Sequence, residues 1–343
     1  MATANSNSFD VRVNVPTPLA VAAAGMAPGS WATFNCNYST VTLGALIGVG
    51  GGKRCTEYAD KMAWDSGRRQ IYFTGGGHGQ DEKTIVYNDD TNTWTDLGRP
   101  PWFSVNPNSA VHGYQHNAFE GNTQYYLQFG TWNVRTRDVT QGNASWSSVS
   151  GPPLGGYATG ALEWFPTYSG GSLVVVQGSG QGTGEVWRRT GGSWTRISGN
   201  TPMGDYHNFG VYSPVRNMMY FGGGNDDASV GDGRPNKVHT LSNTGTITER
   251  ANCPARLTVA RAISTVDPTT GNLVTITSDK VVRIYNPDTN TWSTGTAPPP
   301  GFWSGTIYSE GEVQGIVAAP VYDYGVTMFI TIGGPAIYLR KGG

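Results

Sequence analysis

The chain has 343 residues, a net charge of −1 and only 14% charged side chains, with 49 glycines, 11 tryptophans and 17 tyrosines. An aromatic content this high excludes a disordered chain, and the glycine content argues against a helix-rich one. With no basic run in the sequence, nucleic acid is not expected as a general partner.

In chain order, residues 1–26 form a lead-in. The apolar stretch "PLAVAAAGMA" at 18–27 is too short to span a bilayer, and no basic segment of a signal peptide precedes it. It is expected to be strand or coil packed on the domain, and no membrane partner is expected. "APGSWATFN" at 27–35 has the Gly-Ser-Trp pattern of an outer strand. Residues 36–56 contain a Gly-rich insertion between Cys36 and Cys55, a decorated loop whose cysteines are either disulfide-bonded or buried as thiols.

From residue 57 to 340 the chain repeats itself. Apolar runs with strand character recur as "QIYFTGGG" (70–77), "QYYLQFG" (124–130), "SLVVVQGSG" (172–180), "NMMYFGGG" (217–224), "NLVTITSD" (272–279) and "TMFITIGG" (327–334). They start 54, 48, 45, 55 and 55 residues apart. Most are followed by another strand and then by one marked with tryptophan, as in "TIVYNDDTNTWTDLG" and "VVRIYNPDTNTWSTG". A four-stranded unit cannot bury both of its faces alone, so such units stack radially. Six signals give six blades of a single-domain, all-β propeller. The last repeat lacks its tryptophan strand, and 27–35 is expected to supply it and close the ring; a seventh blade built from 36–56 is the alternative.

"GGG…VYNDDTNTW" and "RIYNPDTNTW" resemble kelch repeats, the motif of propellers related to galactose oxidase, over roughly residues 57–340. That resemblance implies the propeller fold. In residue types the chain is also similar to ulvan-lyase-like polysaccharide lyases, which use histidine, tyrosine and arginine in a cleft on one face.

In a kelch-like blade, the segment leading into the first strand and the loop between strands two and three open on the same face. That face is expected to carry His78 and Tyr58 from blade one, His112 and His116 from blade two, and Tyr157 from blade three. Blade four adds Tyr206, His207, Asn225, Asp226 and Asp227, blade five Arg261, and blade six Trp303. Four of the five histidines thus share one mouth, and only His239 lies elsewhere.

A cluster of titratable groups fits chemistry better than passive binding. The leading expectation is a lyase that cleaves an acidic, uronate-containing polysaccharide by β-elimination. That reaction needs a base, a proton donor and a group to offset the carboxylate. His116 and His207 are the principal base and acid, Tyr157 or Tyr206 the proton-transfer partner, and Arg261 or Arg135 the carboxylate clamp. His78, His112, Tyr58, Asn225 and Trp303 would bind substrate, and exposed Trp102, Trp132 and Trp303 would stack on sugar rings.

Two enzyme alternatives stand beside it. One is a glycoside hydrolase using a carboxylate pair from Glu163, Asp205, Asp226 and Asp227. The other is a zinc or copper site formed by His78, His112, His116 and His207; the leading reading needs no cofactor. The non-enzymatic alternative is a glycan- or protein-binding propeller of a virion or cell surface. An extracellular, periplasmic or virion-associated monomer is expected.

Overall fold

The computed structural model describes residues 16–48, 54–77, 82–103, 112–156, 158–178, 183–225, 234–259, 261–303 and 311–343. Its strands form six antiparallel sheets arranged as the blades of a propeller. The first strand of each blade lines the axis: Ala63–Asp65, Asn117–Glu120, Ala161–Phe165, Asp205–Ser213, Ala262–Val266 and Val317–Val321. The second strands run outward from these as Gln70–Gly75, Thr123–Leu127, Ser172–Gly178, Met218–Asn225, Leu273–Thr277 and Val326–Ile330, matching the six apolar runs of the sequence.

Blade six consists of Val317–Val321, Val326–Ile330, Ile337–Lys341 and, as its outermost strand, Trp31–Thr33. Trp31 pairs with Arg340 and Thr33 with Tyr338, so the ring is closed by a strand from the opposite end of the chain.

Why this pattern stacks can be read at the seams. In blades three, five and six the outer-strand tryptophan donates its indole N–H to a carbonyl just past the outer strand of the preceding blade. The pairs are Trp194 to Ser150 (2.7 Å), Trp292 to Ala251 (2.9 Å) and Trp31 to Thr296 (2.9 Å). The indole buries its apolar body between the sheets and its one donor is satisfied. Nearer the axis, backbones approach too closely for side chains. A Cβ on Gly178 would lie 1.8 Å from the Gly204 carbonyl oxygen, and one on Gly223, whose φ is +64°, 1.9 Å from that of Leu257.

Asparagines fasten inner strands across blades. Asn117 accepts from the Thr74 amide (2.9 Å) and Asn208 from the Gly178 amide (2.7 Å). Each follows a histidine, so the "His-Asn" repeat is partly a clip between blades.

Three segments differ from the sequence expectation. Pro18–Ala24 is an α-helix rather than strand or coil: Thr17 caps it by accepting from the Ala20 amide, Pro18 opens it, and the alanines favour it. Its Leu19 and Ala23 are buried against blades one and six. Asn37–Tyr38 is a short fifth strand on blade one, parallel to Thr93–Asp96, and a second helix, Leu43–Ile47, follows it. Cys36, Cys55 and Cys253 are free thiols, so the insertion is held by the burial of Leu43, Leu46 and Ile47 and not by a disulfide.

Candidate functional site

At one mouth of the axis the segments leading into blades one, two and four converge on Tyr114. His112, His116 and His207 surround its ring, with centroids 5.1, 5.1 and 5.0 Å away. The Tyr114 hydroxyl and His112 Nδ1 are hydrogen-bonded at 2.6 Å. Tyr58 stacks on His112 at 4.5 Å and reaches His207 at 6.1 Å, while Phe129 flanks both His112 and Tyr114.

The backbone that presents these rings is strained. Tyr58, Tyr114, Tyr206 and His207 have φ of 51°, 29°, 47° and 55°, the left-handed region that bulky residues avoid at a cost of roughly 1–3 kcal/mol each. Inter-blade hydrogen bonds hold them there. The Tyr114 amide donates to the Tyr58 carbonyl (2.7 Å), and the His207 amide donates to that of Thr159 (2.8 Å). The His207 carbonyl accepts from Val259 (3.1 Å), and Tyr126 pins His112 by donating to its carbonyl (2.9 Å).

Depth divides the cluster. His116 is 0% exposed, Tyr114 3% and His112 6%; Tyr58 and His207 are half-buried, and Tyr206 is 40% exposed. His116 is therefore not the accessible base. Burial, aided by the nearby Lys61 charge, pushes its pKa down to about 3, with backbone groups of Gly160 and Leu127 opposing weakly. It stays neutral and packs between Tyr114 and Tyr126. His112, expected to bind substrate or, in the alternative, a metal, is the hydrogen-bonded partner of the central tyrosine.

The other expected site residues differ in position. Arg135 lies on the third strand of blade two, donating to Gln128 and covering Trp102. Trp102 packs against Phe103, Tyr126 and Trp146, and Trp132 is buried with its indole donating to Gly156, so neither offers a free face. Trp303 is half-buried against Phe302, with Lys280 over its ring. Arg261 is exposed where blade five begins, and Asn225 is half-buried opposite Asp205 at the end of the second strand of blade four. Asp205 accepts from the Tyr206 amide. His78, Tyr157, Asp226 and Asp227 lie outside the described residues. His239, as expected, is elsewhere, stacked on Phe221 in blade four.

Glu163, expected in the carboxylate pair of a hydrolase, lies apart from Asp205. It sits farther along the axis, in a cavity of about 220 Å³ at the other end, paired with Lys61 at 2.9 Å. Its oxygens also accept from the Trp164 and Tyr212 amides. Between the two ends lies a polar layer that sequence reasoning missed. Asp60 accepts from Gln115 (2.9 Å), whose own oxygen accepts from the Gly210 amide (2.7 Å). Burial pushes the Asp60 pKa up to about 7, against the pull of its hydrogen bonds and of Lys61. The available signal was "YADK", two charges where the inner strand of blade one begins.

Among the described residues no three His, Cys, Asp or Glu side chains converge as a metal site. His112, His116 and His207 each face the Tyr114 ring.

No family model matches this chain, and none of the curated proteins matches it in sequence. Solved structures do resemble it. YjhT superposes with a TM-score of 0.52 at 13% identity, over 81% of this chain and 93% of that one. A chain of the mitotic checkpoint complex gives 0.53 at 11% identity, over 99% and 100%. One from a nidogen/laminin complex gives 0.50 at 9% identity, over 71% and 81%. At such identities the likeness is one of fold.

Proposed function

We propose that the His–Tyr mouth is a carbohydrate site and that the protein is a lyase cleaving uronate-containing polysaccharide by β-elimination. The observation that carries this reading is the Tyr114 hydroxyl, bonded to His112 Nδ1 at 2.6 Å inside a ring of histidines. A neutral imidazole accepting the phenol proton polarises the O–H and makes the phenol oxygen the better base. As the phenol proton passes fully to His112 Nδ1, that oxygen takes the C5 proton of the uronate. The C5–H electrons become the C4=C5 double bond, the C4–O bond breaks, and His207, in its protonated form, gives its proton to the departing sugar oxygen. Arg261 offsets the uronate carboxylate, and Tyr58 and Tyr206 supply ring faces for the sugar. A polysaccharide substrate fits an extracellular, periplasmic or virion-surface location, and a propeller ring closed by its own Trp31–Thr33 strand fits a monomer.

A second reading is a glycan-binding face without turnover. It is favoured by depth: Tyr114 and His112 are nearly buried, so a ligand first meets Tyr58, Tyr206 and His207.

A panel of uronate polysaccharides decides between them, with the absorbance of the unsaturated product followed beside retention in affinity electrophoresis. Tyr114→Phe removes only the hydroxyl and is expected to lower turnover by about 10²–10⁴-fold with retention unchanged. Full activity in that variant refutes the mechanism. Retention without product establishes the second reading, and neither signal across the panel rejects both.

A further inference from the structure

A second site lies between blades one and two, on the flank away from the His–Tyr mouth. A cavity of about 500 Å³ opens there, walled by Gln70, Asn88, Thr91, Thr93 and Thr95 beside the Tyr72 ring, with Arg137 among its lining. Arg137 is 2% exposed. Its Nε donates to Gln124 (3.0 Å), and its guanidinium lies over the rings of Tyr72 (5.3 Å) and Trp146 (5.7 Å). Among the described residues it has no carboxylate partner. Buried charges are ordinarily paired, so this cation stands out.

Comparison of the blades explains how it loses its partner. Arg340 of blade six stands opposite Thr327, the second residue of the second strand; Arg137 stands opposite Gln124, the corresponding residue of blade two. Arg340 reaches back to Asp267 of blade five at 3.1 Å. Asp267 caps its hairpin turn by accepting from the amide three residues on, at Thr270, as Asp65 of blade one does with Arg68. Yet the Asp65 carboxylate is also taken by the Arg68 guanidinium at 3.1 Å, which leaves Arg137 alone. The seam is also closed differently here. Trp146 donates to Asn143 of its own blade, and Asn143, not the indole, reaches the Leu97 carbonyl of blade one.

We propose that this inter-blade cavity binds the oxyanion, carboxylate or sulfate, of an acidic sugar residue, with Arg137 as its clamp. The guanidinium fork matches either oxyanion, and the amides and hydroxyls of the wall match sugar hydroxyls. The oxyanion site stands on the geometry of Arg137; the sugar rests on the carbohydrate reading of the mouth. Glucuronate, glucose 6-sulfate, methyl glucoside and sodium sulfate are titrated by calorimetry and ligand-observed NMR into the wild type, Arg137→Met, Gln124→Glu and Tyr114→Phe. Gln124→Glu is nearly isosteric, keeps an acceptor for Arg137 and supplies the missing negative charge, so it reports even where Arg137→Met does not fold. Both sugar acids are expected to bind the wild type and Tyr114→Phe alike, and about tenfold or more weakly in the other two variants, with no binding of methyl glucoside. Undiminished binding in Gln124→Glu overturns the site. Inorganic sulfate binding as tightly as the sugar acids overturns the sugar while leaving the reading of the mouth intact. Loss of binding in Tyr114→Phe places the sugar at the mouth and overturns the proposal.

Discussion

The axial pair Lys61–Glu163 offers a sharp test of how the propeller is held at its centre. Glu163 accepts three donors on two oxygens: Lys61 Nζ at 2.9 Å and the Tyr212 amide at 3.0 Å on one, the Trp164 amide at 2.9 Å on the other. Glutamine has one acceptor oxygen, so in Glu163→Gln an amide N–H must confront either Lys61 or the Trp164 amide. One unsatisfied buried donor costs about 1–3 kcal/mol. The Lys61 charge keeps only the Leu162 and Gly210 carbonyls, at 2.7 and 3.3 Å. Breaking a buried pair in this way costs about 3–5 kcal/mol in all. Urea unfolding followed by tryptophan fluorescence measures it. Lys61→Met is expected to cost a similar amount, whereas the double variant Lys61→Met/Glu163→Leu, apolar and similar in volume, is expected to recover most of the loss. Single variants that each cost less than about 1 kcal/mol, or a double variant that costs their sum, would refute the reasoning. Because Glu163 lies at the end of the axis away from Tyr114, Glu163→Gln should leave turnover unchanged well below its melting point.

Two further outcomes follow from buried titratable groups. With a folded pKa near 3, His116 binds fewer protons folded than unfolded, so its contribution to stability is complete above about pH 6.5 and is lost as pH falls toward 3. Asp60, raised to about 7, acts oppositely: its contribution is complete below about pH 3.8 and is lost as pH rises through 7. Urea midpoints against pH should therefore lose their acid-side slope in His116→Gln and rise above pH 7 in Asp60→Asn; unchanged profiles would refute both assignments. The cysteines give a chemical check. All three are expected to titrate as thiols in denaturant without reductant. In the native state Cys36 and Cys253 should alkylate slowly at pH 8, since burial pushes them up to about 12 and 11. Fewer than three thiols would contradict the free-thiol assignment.

Much of the architecture was legible because propeller physics writes a periodic signal. Apolar second strands ending in glycines such as Gly178 and Gly223 recur where backbones must touch, and Trp31 stood out as the missing member of a tryptophan series. The helix at Pro18–Ala24 was not legible, because a seven-residue alanine-rich run carries too few turns to show its period. Nor was the fifth strand at Asn37–Tyr38, two residues long and parallel to its neighbour. At the mouth, topology alone brought His112, His116 and His207 together. Their depth was hidden, because the left-handed backbone at Tyr114 and His207 breaks the strand alternation from which side-chain direction is inferred. Hence His116 points into the protein while His207, beside an equivalent asparagine, stays half-buried. The missing partner of Arg137 was likewise invisible, since it depends on Arg68 capturing Asp65 across a turn.

The pairing of Trp31 with Arg340 has a temporal meaning for a chain made from its N-terminus. Five blades can assemble in order as they are synthesised, each from neighbouring sequence. The sixth cannot, for its outer strand is made before the other five blades and must wait, unpaired, until Ile337–Lys341 has followed them. Closing so long a loop carries the largest entropic cost in the molecule and comes last. Until then the nascent protein is an open arc with an unprotected blade face at each end, which makes the interval before closure its period of greatest exposure to misassembly.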